Sequence, residues 1–63
     1  MTVEQATIHD YHKGLVDVGI CADVLLTSIK PAYPRLHKFF LSTLDEDSVY
    51  DIVDALEEII NHD

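Results

Sequence analysis

Seven apolar residues, Ile8, Tyr11, Leu15, Val18, Ala22, Leu25 and Ile29, follow one another at alternating steps of three and four. On an α-helix that spacing draws one continuous stripe, the heptad pattern of helix–helix contact. It predicts a long first helix over residues 3–29. Thr2 and Gln5 match a capping box at its start, each side chain answering the other's backbone N–H. Lys30 suits the negative end of the helix dipole, and Pro31 stops the run by removing a donor. Val16, Ile20, Val24 and Leu26 widen the stripe, so the second half of this helix needs cover on more than one side. Gly14 and Gly19 each weaken a helix by about 1 kcal/mol relative to alanine and mark a bend or a close approach.

The connection from Lys30 to Tyr33 is short, so the next element folds back beside the first. Pro34 fits a first helical position. A second helix over residues 34–43 places Leu36, Phe39, Phe40 and Thr43 on one face. A third, over residues 45–61, carries Val49, Ile52, Val53, Leu56, Ile59 and Ile60 at helical spacing. Its start is crowded by Asp45, Glu46 and Asp47, where negative charge opposes the dipole. No run alternates with period two for long enough to make a strand. The expected fold is all-α: a single small domain, residues 1–63, of three helices with a hairpin return.

Size sharpens this. A chain of 63 residues buries only about 60% of its unfolded surface and is marginal without a staple. Cys21 is the sole cysteine, so neither an internal disulfide nor a four-cysteine zinc site can supply one. Good helix packing, a metal held by histidines, or self-association remains, and the first helix carries more apolar surface than two short helices can cover. A symmetric homodimer through the first-helix stripe, with Tyr11, Leu15, Val18, Ala22, Leu25 and Ile29 at its interface, is therefore expected.

The charge is uneven. The chain carries 12 acidic and 4 basic residues, a formal net charge of −8. Residues 1–43 balance: Glu4, Asp10, Asp17 and Asp23 against Lys13, Lys30, Arg35 and Lys38. Residues 44–63 hold all the excess and no lysine or arginine. Asp47, Asp51, Asp54 and Glu58 fall on one helix face, with Glu57 beside them. Like charges at that spacing cost helix stability. A solvated face that keeps an apolar protein in solution is one reading of the row. The other is an acidic face that steers and orients a basic partner. A DNA- or RNA-binding protein is such a partner, its phosphate sites taken by carboxylates. Direct binding of nucleic acid is excluded by the shortage of cations. The apolar alternative for the partner site is Tyr33, Phe39 and Phe40, since aromatic anchors carry more binding energy than rim charges.

Little in the chain reads as catalysis. His9 and His12 are three apart on the first helix, but zinc needs three or four ligands. Cys21 lies on the most apolar stretch, with no histidine within a turn to activate it. Two glycines allow no phosphate-binding loop. Neither enzyme activity nor a cofactor or metal is expected. No apolar run approaches the ~20 residues of a membrane span. With a free thiol and an N-terminus lacking the features of a secretory signal, the chain reads as cytoplasmic.

Leu44-Asp45-Glu46-Asp47-Ser48-Val49, followed by Ala55-Leu56-Glu57-Glu58, resembles the prosthetic-group region of acyl carrier proteins. There an Asp-Ser-Leu opens an acidic helix and the serine carries phosphopantetheine. The resemblance implies Ser48 as attachment site and the following acids as a docking face. It covers about a quarter of the chain. The chain departs from the family pattern at Glu46 and Val49, and only 15 residues follow Ser48. The leading expectation is a non-enzymatic acidic interaction module, a regulator or inhibitor of antiactivator or virus-encoded type. A truncated carrier protein and a structural subunit of a larger complex are the alternatives.

Overall fold

The computed structural model describes residues 2–61. They form four helices: α1 (Val3–His12), α2 (Val18–Ile29), α3 (Pro34–Thr43) and α4 (Ser48–Asn61). The all-α class holds. The expected single helix over residues 3–29 is instead two, broken at residues 13–17.

The break has a local chemical cause. Gly14 adopts φ +79°, the left-handed region that side chains disfavour. Its N–H donates to the Tyr11 carbonyl at 3.0 Å, and the Leu15 N–H reaches back to the Asp10 carbonyl at 2.9 Å. These two bonds make a Schellman motif, which satisfies the last carbonyls of α1 and turns the chain away. Three residues on, Asp17 restarts the helix, its carboxylate accepting from the Ile20 N–H at 2.8 Å. A helix kept straight over residues 3–29 would be about 40 Å long at the standard rise. The folded chain measures 29 × 28 × 15 Å.

The other ends follow the sequence closely. Thr2 and Gln5 complete the capping box of α1, at 3.2 Å and 3.1 Å. After α2 the Ala32 and Tyr33 N–H groups both donate to the Ile29 carbonyl. Pro34 then opens α3 at its first helical position, as its fixed φ favours. The last helix, expected from about residue 45, becomes regular at Ser48, because Asp45 is spent as its cap.

The core lies mainly between α2 and α4, which share the most extensive contact among the described residues; α1 packs on both and α3 packs on α2. Cys21, Ala22, Leu25, Leu26 and Ile29 face Val49, Ile52, Val53 and Leu56, with Ile8 added from α1. Leu25, Val53 and Leu56 are fully buried. The 15 Å dimension accommodates two helix layers, so only these facing stripes are fully shielded.

This packing corrects the expected dimer interface. Ala22, Leu25 and Ile29 are already inside the chain's own core, and Tyr11 and Val18 are half-buried against it. Leu15 sits in the α1–α2 connection and is 70% exposed. The seam is thus consumed by folding back on itself.

Candidate functional site: the acidic face and the α3–α4 corner

The face of α4 opposite the core is acidic. Asp47, Asp51, Asp54 and Glu58 are all exposed, while Val49, Ile52, Val53 and Leu56 are buried on the other side. The helical period separates the two sets because steps of three and four return to one side of the cylinder. Four of the five acidic candidates therefore share one outward row.

Glu57 does not. Its side chain is only 18% exposed, and Oε1 lies 2.7 Å from Nε2 of His12. That oxygen is shielded from water and, among the described residues, accepts no hydrogen bond. Glu57 turns inward toward the end of α1 and becomes part of the α1–α4 contact, not of the acidic row. Its charge is felt there: the Tyr11 hydroxyl is pushed up first by burial, then by Asp54 and more weakly by Glu57 among others. The Cys21 thiol is likewise raised, by burial first and Glu57 second. A buried thiol held protonated packs as a small apolar core side chain.

The aromatic candidates separate. Phe39 and Phe40 touch, with ring centroids 5.8 Å apart at 54°. Phe40 packs with Leu36 against the core, which fixes α3 on α2, whereas Phe39 is 58% exposed. Tyr33 is half exposed, but it lies with Thr2, Ser28 and Ile60, where α1 starts and α4 finishes. The expected shared face of Leu36, Phe39 and Phe40 is split between the core and solvent.

At the other end of α4, four residues close a tight corner. The Asp45 carboxylate accepts from the Ser48 N–H at 2.7 Å and the Asp47 N–H at 2.9 Å. The Ser48 hydroxyl in turn accepts from the Asp45 N–H at 3.2 Å. This is a reciprocal capping box with aspartate leading and serine closing. The same hydroxyl lies 2.6 Å from the Thr43 carbonyl and 2.9 Å from the Asp45 carboxylate. The bonds from Ser48 and Asp47 hold the Asp45 carboxyl below its usual value, so it stays ionised in mildly acidic solution. Ser48, half-buried, is thereby engaged through its hydroxyl in the corner itself.

The corner also borders a depression. Val18 and Gly19 from the start of α2, the α3–α4 connection from Leu44 to Asp47, and Val49 and Tyr50 of α4 enclose a shallow groove of about 600 Å³. Sequence reasoning missed it. It forms where the start of α2 meets the α3–α4 connection, a meeting that residue spacing along single helices does not report. Asp17 as a helix cap was the available signal.

Among the described residues there is no group of three or more potential metal ligands, and no helix is long and apolar enough to cross a membrane. His62 lies outside the described residues. Compared with protein-family models, curated proteins and solved structures, the chain finds no match.

Proposed function

We propose that this chain is a non-enzymatic interaction module that binds a basic protein surface and acts as a regulator or inhibitor of its owner. One observation carries the reading. Asp47, Asp51, Asp54 and Glu58 stand in an exposed row on the segment that holds the whole net charge of −8. Their mutual repulsion opposes folding of α4, and a basic partner relieves it. A nucleic-acid-binding protein fits best, because its cationic surface already accepts anions at helical or phosphate-like spacing.

The test removes the charge and keeps the shape. Asp47→Asn, Asp51→Asn, Asp54→Asn and Glu58→Gln are made together, and both proteins are used to capture partners from source cells at low and high salt. Wild type is expected to retain a nucleic-acid-binding protein that added DNA or RNA displaces. The quadruple variant should lose at least roughly tenfold in affinity, mostly through slower association. Equal capture by the two proteins, with unchanged salt dependence, would reject the reading.

Self-association is a second reading, supported by the apolar side chains left outside, Leu15, Ile20, Phe39 and Leu41. It no longer runs through the seam. Light scattering at micromolar concentration is expected to report a dimer, and a stable monomer rejects it.

A further inference from the structure

Resting on the interaction-module reading, we infer that the groove between the start of α2 and the α3–α4 corner is a docking site for a basic amphipathic helical segment of a partner protein. An apolar anchor side chain would enter the groove and flanking lysines or arginines would meet its rim.

The floor is apolar and partly open to solvent. Val49 closes the bottom at 7% exposure, while Leu44 and Tyr50 stand at 38% and 55%, with Val18 completing the wall. A tyrosine and a leucine on the edge of a concave surface are the kind of side chains that hold an incoming apolar group. The volume is ample for more than one such side chain, and its shallow form suits a chain segment better than an enclosed small molecule.

The rim selects the charge of the occupant. Asp45, Glu46 and Asp47 line the groove, and Asp17 is adjacent, its carboxylate 3.4 Å from where a side chain on Gly19 would begin. Asp45 is committed to its cap but remains anionic. The carboxylates of Glu46 and Asp47 have no ion pair or hydrogen bond among the described residues. An anionic ligand is repelled here. A second copy of the chain fits poorly, because it brings the same rim and a net charge of −8 against itself. Cations flanking an apolar anchor match both features, and the helix-in-groove mode supplies that spacing from one face. The groove lies at the start of α4, so a helix seated in it can extend its other cations along Asp51 and Asp54.

Three synthetic helical peptides test this with the intact protein. The first carries lysines flanking a leucine and phenylalanine face, the second replaces those anchors with alanine, and the third replaces the lysines with glutamine. Binding is followed by calorimetry and by backbone amide shifts. The first peptide is expected to bind, with the largest shifts at Val18, Gly19, Leu44 and Tyr50. The other two should bind at least about tenfold more weakly. Leu44→Ser with Tyr50→Ser should weaken the first peptide to a similar degree, with helicity unchanged by circular dichroism because both residues are substantially exposed. Equal binding of the alanine peptide, with shifts running along Asp51, Asp54 and Glu58, overturns the groove and leaves the acidic-face reading standing. No binding of either lysine peptide at low salt overturns both. Groove signals that move with protein concentration alone would assign the site to a second copy and overturn the inference.

Discussion

Leu56→Ala is expected to leave the chain largely unfolded, or to lower its melting temperature by at least roughly 10 °C. A domain of this length has only about 3–9 kcal/mol of stability in total. Leu56 is fully buried where α4 meets α2. Truncating a leucine in such a place costs about 2–5 kcal/mol, the upper end applying where neighbours cannot collapse into the cavity. Collapse is hard here. Leu25 and Val53 are equally buried and are held on two helices whose ends are fixed by Asp17 and Asp45. Phe39→Ala is the matched control, a larger apolar deletion at a position 58% exposed, and should move the transition by only a few degrees. Thermal melts followed at 222 nm compare the two. A Leu56→Ala transition within a few degrees of wild type would mean that the α2–α4 contact does not carry the fold.

Much of this arrangement could be read from residue spacing, and the exceptions have physical reasons. α3 falls where Pro34 and the apolar spacing place it, and α4 divides into a buried and an acidic side because its pattern keeps one period throughout. Both are short elements bounded by strong punctuation. The stripe from Ile8 to Ile29 is different. Ile8 and Tyr11 in α1 face the same core as Ala22, Leu25 and Ile29 in α2, so their spacing resembles one uninterrupted heptad. Periodicity reports which residues face apolar surroundings, not whether the chain between them stays helical. Leu15 fitted the stripe and yet lies outside the core. The acidic row was legible for the reason α4 was. Glu57 was not, because an inward or outward turn at the flank of a helix depends on what stands opposite, here His12. The groove at the α3–α4 corner was hidden because it is tertiary: it joins the start of α2 to the connection before α4, and spacing within one helix does not report what stands opposite it.

Gly14→Ala should therefore destabilise the protein, and the sign of that change discriminates between the two architectures. In an uninterrupted helix over residues 3–29, replacing an interior glycine with alanine stabilises by about 1 kcal/mol. In the observed fold Gly14 stands at φ +79°, and a side chain there costs about 1–2 kcal/mol. Nothing lies within 4 Å of the added Cβ, so the cost is that of the backbone conformation, not of a clash. The melting temperature should fall by roughly 4–16 °C. Gly19→Ala provides the opposite sign within the same chain. That residue is helical in α2, without positive φ, and its new Cβ meets only the Asp17 carboxylate oxygen at 3.4 Å, so it should gain up to about 1 kcal/mol. An increase in stability from both substitutions would overturn the break at Gly14 and favour the straight helix.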